Sequence, residues 1–437
     1  MDKTQEKYKL SHYNVVHQDG DFQYMWNTYS DALLQLDKSA QQYIQQFSSL
    51  DDKSDMFKIL KNNGFIVHEQ LNEFGRLCVQ EKQSMFNGNP DKLFFTIVPG
   101  MGCNYSCDYC FEANSDLTGV MTPEIAIDVA EYICKELRNK QDVKELIISW
   151  FGGEPLLYIS IIEIISRKLM DYSQQNGIIY SPSIITNGRY LDTKNLTLLQ
   201  ELCIKNAQIT LDGTKDIYCK SKGANTEDFD SVINNIRNAC DKIKISLRLN
   251  IPNNNANEAI AITDFILKDC NLLNKVHIYF AYLCDYSLVS NDSQRAFNSF
   301  VNSFNLYIEY ILKNYGKSLA KSTVSIPRRI NTFCGVIRVS NACIGSRGEL
   351  YKCHHDLGNN SMVIGNVWKG RFYNETELSY YMVADNPVRR KCSQCAYLPV
   401  CMGGCANNRI CGCERSNCDD KKRYQLKIKL LEGGVLL

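Results

Sequence analysis

Between Leu93 and about Leu283 short apolar runs alternate with longer amphipathic stretches. The runs Leu93–Val98, Glu145–Phe151, Ser183–Thr186, Ala207–Leu211, Ile243–Ile251 and Val276–Ala281 read as strands, being short, apolar and bounded by turn residues. Helical periodicity marks Pro123–Glu136, Ile161–Gln174, Leu196–Ile204, Asp228–Asp241 and Glu258–Leu267. Repeated βα units imply a parallel sheet with right-handed crossovers. Six strands fall short of the eight that close a TIM barrel, so the pattern predicts an α/β fold, an open (β/α)6 partial barrel. Its active site is expected at the C-terminal strand ends.

The flanks follow other patterns. Residues 1–88 read as a small α+β module, with strands at Tyr13–Val16 and Phe22–Tyr29, helices near Ala32–Phe47 and Met56–Asn63, and a last short run Phe65–His68. A helix from about Leu71 to Phe86 leads into the barrel, residues 89–290. Residues 291–330, helical over Ser293–Tyr315, form a bridge, and residues 331–437 form a cysteine-rich domain with a C-terminal tail.

Composition narrows the function. The chain has 437 residues, 44% of them hydrophobic, which suits two or three domains with real cores. Net charge is +1, so there is no electrostatic case for nucleic acid or an anionic membrane. The N-terminus MDKTQEKYKLSHYN has no apolar signal region and no run reaches 18 apolar residues, so a cytoplasmic protein without membrane spans is expected. Twenty cysteines in a reducing compartment point to metal binding, not to a disulfide framework.

Those cysteines are unevenly placed. Cys103, Cys107 and Cys110 follow the first strand in a loop of Gly, Asn, Ser and Asp. Spaced C-x3-C-x2-C, three thiolates can hold three irons of a cube-shaped iron–sulfur cluster and leave the fourth iron open. A structural zinc site would require four ligands, usually two C-x2-C pairs, and no fourth lies nearby in sequence. Ten more cysteines fall between Cys334 and Cys418. The scattered seven (Cys78, Cys134, Cys203, Cys219, Cys240, Cys270 and Cys284) sit in mostly apolar context, as small buried hydrophobes do.

The string CNYSCDYCFE resembles the signature of the radical S-adenosylmethionine (SAM) enzymes, with Tyr109 as the aromatic before the last cysteine. The resemblance implies that the open iron chelates SAM and that reductive cleavage yields a 5′-deoxyadenosyl radical, the cofactor supplying the hard chemistry. Gly152-Gly153-Glu154-Pro155, after strand two, is similar to the family's GGEP motif. Its glycines let backbone approach a ligand, and Glu154 is the expected acceptor for the SAM ammonium. Ser183 to Gly188 resembles the family's S-x-x-T-N-G and makes Ser183 and Asn187 candidate SAM contacts. Asp212, in Thr210-Leu211-Asp212-Gly213, matches the family's S-L-D-G. Relatives continue with a His-Asp pair and an arginine that binds the SAM carboxylate. Here Tyr218, Cys219 and Lys222 stand instead, so Lys222 is the expected carboxylate partner without the bidentate fork. Arg248, inward-facing if strand alternation holds, is the other candidate.

The C-terminal string KCSQCAYLPVCMGGC, with Cys334, Cys343, Gly348 and Cys353 ahead of it, looks like a SPASM domain, the twin-cluster extension of radical SAM peptide modifiers. By that resemblance Cys334, Cys343, Cys353 and Cys405 hold one auxiliary 4Fe–4S cluster, and Cys392, Cys395, Cys401 and Cys418 the other. Cys411 and Cys413 compete with Cys418 as the last ligand. Zinc ribbons are the alternative, since C-x2-C knuckles suit zinc too.

The N-terminal module is similar to PqqD-like leader-recognition domains, in which a peptide adds a strand to an exposed edge. Together these resemblances imply maturation of a ribosomal precursor peptide with a leader, by a thioether or other side-chain cross-link. Three 4Fe–4S clusters, SAM and a flavodoxin- or ferredoxin-type reductant are the implied cofactors and partner. Sulfatase-maturing relatives, which form formylglycine, place an Asp directly after the cysteine matching Cys353. Here His354 follows, then His355 and Asp356. This lowers the formylglycine reading and makes His354 the candidate acid or base, titrating near neutral pH. The non-catalytic alternatives are an iron–sulfur electron carrier and a peptide-binding scaffold.

Overall fold

The computed structural model describes residues 6–19, 22–47, 54–88, 90–110, 112, 119–281, 283, 290–323, 328–332, 334–370 and 392–406. The chain forms two compact units, 1–85 with 324–335 and 385–437, and 86–323 with 336–384. These bounds cut across the expected ones. The cysteine-rich region is divided, one part belonging with the N-terminal module and the other with the barrel.

In the first unit β1 (Tyr8–Leu10) pairs antiparallel with β5 (Ile66–His68), while β2 (Asn14–Asp19), β3 (Phe22–Asn27) and β4 (Leu33–Leu36) form a three-stranded meander. The helix expected over Ala32–Phe47 is split. Residues Leu33–Leu36 pair with β3, and α1 (Lys38–Gln45) starts only where the Asp37 carboxylate accepts from the Ala40 N–H. That N-cap satisfies an orphan donor, so the helix begins there and not five residues earlier. Next come α2 (Asp55–Asn62) and α3 (Glu73–Asn87). Tyr13 and Leu77 pack with Leu398 and Met402, and the Thr28 hydroxyl donates to the Ala396 carbonyl at 2.5 Å. The cysteine knuckle is thus part of the same core.

The second unit contains the six expected strands: β6 (Lys92–Ile97), β7 (Glu145–Trp150), β8 (Ile179–Thr186), β9 (Asn206–Leu211), β10 (Lys244–Leu249) and β11 (Val276–Phe280). They pair in parallel in sequence order. Their connecting helices are α4 (Pro123–Arg138), α5 (Ile159–Gln175), α6 (Thr193–Glu201), α7 (Lys215–Lys222), α8 (Thr226–Ala239) and α9 (Ala256–Asp264), followed by α10 (Ser290–Thr323), which is broken at Gly316. Helix α7 was not expected from the pattern. Three further strands, β12 (Ala342–Ile344), β13 (Glu349–Tyr351) and β14 (Gly365–Asn366), extend the sheet to nine, β12 lying parallel to β6.

Strand alternation sorts the two faces. Leu93, Phe95, Ile97, Leu146, Ile148, Trp150, Leu247 and Leu249 are almost wholly buried, and this face meets the helices, as in the edge-on contact of Phe95 with Tyr132 of α4. The other face carries half-buried polar groups, among them Thr96, Ser149, Ser183, Gln208, Thr210 and Arg248. A barrel whose inner face is polar has room for a ligand where a packed core would exclude one.

Helix α8 opens with a reciprocal cap: the Asn225 side chain accepts from the Asp228 N–H at 2.8 Å, and the Asp228 carboxylate accepts from the Asn225 N–H at 3.2 Å. Replacing Asn225 by alanine is expected to cost about 1 kcal/mol, read as a lowered Tm with cluster binding unchanged.

Candidate SAM and iron–sulfur site

The loop from Val98 to Cys110 leaves β6 at the C-terminal rim. Hydrogen bonds to two later segments hold it. The Glu154 N–H donates to the Gly102 carbonyl at 2.9 Å, and the Gly102 N–H donates to the Tyr158 hydroxyl at 3.0 Å. Ser106 and Asp108 donate their N–H groups to the carbonyls of Lys222 and Ser221, at 3.1 and 3.2 Å. These two bonds bracket Cys107. Gly152 and Gly153 lie against the loop so closely that a Cβ on Gly153 would stand 2.4 Å from the carbonyl oxygens of both Met101 and Gly102. The sequence assigned these glycines to ligand approach; the structure shows them admitting the cysteine loop itself.

Cys103 is exposed and Cys107 and Cys110 are half-buried, all on this one loop. The Asn187 amide donates to the Cys103 sulfur at 3.8 Å and to the Asn104 side chain at 2.8 Å. Desolvation pushes the Cys107 thiol up to about 11, against the opposing pull of the Lys222 ammonium. Among the described residues no three His, Cys, Asp or Glu side chains gather around a point where one metal ion would fit. Thiolates bound to separate irons of a cube stand farther apart than thiolates sharing one ion. Three thiols on a polar, solvent-facing loop, beside a buried cation and an amide donor, therefore suit an anionic thiolate-bound cluster.

Glu154 is not the open acceptor that the motif suggested. It is fully buried, and its carboxylate accepts from the Thr186 hydroxyl at 2.7 Å, the Asn187 N–H at 2.8 Å and the Leu156 N–H at 2.9 Å. It clamps the end of β7 to the end of β8. Burial pushes its pKa up even though all three donors favour the charged form.

Lys222 also differs from expectation. It is 2% exposed, and its ammonium lies 3.4 Å from the buried Asp212 carboxylate, so it does not face an open site. The Tyr109 hydroxyl donates to both Asp212 oxygens, at 2.8 and 2.9 Å. Burial disfavours the ammonium, but the Asp212 and Cys107 charges outweigh it and hold its pKa above that of an ordinary lysine.

Arg248 does lie on the inner face, its Nε donating to the Asn250 side chain at 2.9 Å. Ser183 shares that face, its hydroxyl donating to the Ile148 carbonyl at 3.3 Å. His354 stands edge-on to Phe151, with ring centroids 5.5 Å apart. The residue is exposed, yet desolvation by its neighbours, reinforced by His355 and Arg248, holds its imidazole below the ordinary value.

Of the remaining cysteines, Cys392, Cys395, Cys401 and Cys405 lie within 14 residues of the first unit, around the short helix Leu398–Cys401 and a turn in which Met402, Gly403 and Gly404 all have positive φ. Cys334 is in that unit too, whereas Cys343, on β12, and Cys353 are buried in the second. Cys411, Cys413 and Cys418 lie outside the described residues. Sequence reading assigned no role to Tyr158, Thr186 or Ser221, which hydrogen-bond to Gly102, Glu154 and Asp108, far away in the chain, and leave no local spacing signal.

A cysteine loop at the rim of an open parallel barrel is the arrangement of an iron–sulfur enzyme that binds SAM. Residues 97–266 match the Radical SAM superfamily, and the chain carries a radical SAM domain. It is 32% identical over 167 residues to the radical SAM cyclopropyl synthase TigE of Paramaledivibacter caminithermalis, 34% of each chain. It is 24% identical over 165 residues to the Fe-coproporphyrin III synthase of Methanosarcina barkeri, 38% of each. The chain thus matches little more than a third of the length of these curated relatives. In fold it is similar to anSMEcpe solved with bound AdoMet and the Cp18Cys peptide, at a TM-score of 0.58 and 18% identity, covering 78% of this chain and 98% of that one. Among the described residues no helix is long and apolar enough to cross a membrane.

Proposed function

We propose that this protein is a radical SAM peptide maturase, which forms a thioether or another side-chain cross-link in a ribosomally made precursor. The observation that carries the SAM chemistry is the three-thiol loop at the barrel rim, fastened at Gly102, Ser106 and Asp108 and facing a polar interior. Cys103, Cys107 and Cys110 would hold a 4Fe–4S cluster with one open iron. When bound, that group supplies the electron that cleaves SAM to a hydrogen-abstracting 5′-deoxyadenosyl radical.

The chain's own residues position and enclose. Gly152 and Gly153 seat the loop, and Glu154 joins the β7 and β8 ends on which a ligand would rest. Ser183, Asn187 and Arg248 would supply polar contacts, with Arg248, half-buried on the inner face, rather than Lys222 as the cation that would meet the SAM carboxylate. His354, exposed and edge-on to Phe151 just after β7, stays neutral and presents a weakly basic imidazole to a substrate thiol. Thioether formation removes one hydrogen atom from carbon, one proton from the thiol and one electron. An auxiliary cluster, which the C-terminal cysteines would hold, would supply an acceptor for that electron. The peptide substrate is supported by the peptide-bound neighbour of like fold.

Anaerobic incubation of the reconstituted protein with SAM and dithionite tests the first step, with 5′-deoxyadenosine above an enzyme-free control as the expected result. Co-expression with a cysteine-rich peptide encoded beside the protein tests the second. A loss of two hydrogens marks a cross-link, whereas loss of sulfur from a cysteine marks formylglycine formation and removes the maturase reading.

A further inference from the structure

Lys222 sits where the sequence places a SAM ligand, yet its surroundings turn it inward. Its ammonium lies 5.3 Å from the Tyr218 ring centroid, 6.0 Å from that of Tyr105 and 3.4 Å from Asp212. The same Asp212 takes the hydroxyl of Tyr109, which lies between two of the loop cysteines. The backbone of residues 221–223 docks onto residues 106–108. Besides the two N–H bonds that flank Cys107, the Ser221 hydroxyl donates to Asp108 at 3.4 Å. Gly223, at φ +61°, lies so near Ser106 that a Cβ there would stand 2.6 Å from its hydroxyl.

A buried ion pair is a costly way to stabilise a fold, since desolvation offsets much of the attraction. Its persistence here, boxed by tyrosine rings and touching the cysteine loop from two directions, calls for a role that apolar packing could not fill. We propose that Lys222 is a positioning residue for the cluster loop, its charge fixed by Asp212 beside Cys107 so as to favour the reduced state of a cluster bound there, and that it does not bind the SAM carboxylate. The inference rests on the radical SAM reading above. The physical reason is sign: one-electron reduction adds negative charge to a thiolate-bound cluster, and a nearby buried cation stabilises that charge more than it would in water.

The test compares wild type with Lys222→Met, Lys222→Met/Asp212→Asn and Lys222→Arg, each reconstituted anaerobically. The readouts are the SAM-responsive EPR signal titrated against ambient potential, and SAM affinity by equilibrium binding. For Lys222→Met the reduced-to-oxidised ratio at a fixed potential should fall about tenfold, equivalent to about 59 mV for one electron. SAM affinity should stay within about twofold. The double variant buries no unpaired charge, so it keeps the test alive if the single variant fails to fold, and it should show a smaller fall because Asp212 opposes Lys222. Lys222→Arg keeps the cation and should hold the wild-type potential.

A tenfold loss of SAM affinity at unchanged potential would make Lys222 a SAM ligand and overturn the proposal. An unchanged potential in both Met variants would overturn it as well, leaving only packing, and so would an equal fall in Lys222→Arg. Failure of the wild type itself to show a SAM-responsive cluster sinks the parent reading instead, which keeps the two failures distinct.

Discussion

Changing Cys103, Cys107 and Cys110 together to alanine is expected to bring 5′-deoxyadenosine to the level of the enzyme-free control while iron bound by the C-terminal cysteines remains. The three thiols are the ligand set that the loop provides, and apart from the contacts of the Asn187 amide and the Tyr105 N–H with the Cys103 sulfur the loop's fastening does not use their sulfur atoms. Gly102, Ser106 and Asp108 are held through backbone groups, and Tyr109 through Asp212. The triple variant should therefore keep its fold, with far-ultraviolet circular dichroism and Tm close to wild type. Iron per chain should fall by the content of one cluster. If iron fell to zero, the C-terminal cysteines would not be binding clusters, and the allocation of three clusters would be wrong.

Gly153→Ala is expected to lower activity about a hundredfold through geometry alone. The added methyl would sit 2.4 Å from two carbonyl oxygens of the cysteine loop, a distance that forces backbone, not a flexible side-chain tip, to move. Overpacking of this kind costs about 1–3 kcal/mol. A displacement of about 1 Å at a reacting centre can cost about a hundredfold in rate. Gly177→Ala is the control. Gly177 has φ +66°, unlike Gly153, but nothing lies within 4 Å of the added Cβ, so its alanine variant should lose some stability and no activity. Equal activity losses at the two positions would mean that the close approach at Gly153 has no catalytic consequence. Anaerobic 5′-deoxyadenosine assays and thermal melts on both variants decide the matter.

The barrel was legible because each of its strands and most of its helices announce themselves locally. Leu93–Val98 and Glu145–Phe151 lie within a residue of β6 and β7, since short apolar runs between turn residues have few other ways to be buried. Helix α7 was missed because Lys215–Lys222 is polar over most of its length and is held by Tyr218 and Lys222 near the rings of Tyr105 and Phe229. The split of Ala32–Phe47 was missed because pairing with β3, not local propensity, makes Leu33–Leu36 a strand. Resemblance identified Glu154 and Lys222 as important positions and misjudged what they face. Burial and pairing depend on groups 30 or more residues away at Glu154, and on ten residues' separation plus a tyrosine in another loop at Asp212.

By itself, the sequence determined the cysteine spacing, the order of βα units and the position of the thiol loop after the first strand. All of these are relations between near neighbours in the chain, where covalent geometry and periodicity set the outcome. Only the tertiary structure decided that Lys222 points to Asp212, that Glu154 closes a hydrogen-bond clamp, that β12–β14 extend the barrel sheet and that the cysteine knuckle shares a core with Tyr13. Those outcomes turn on which polar groups lose water together, and desolvation is a property of the assembled fold rather than of any segment within it.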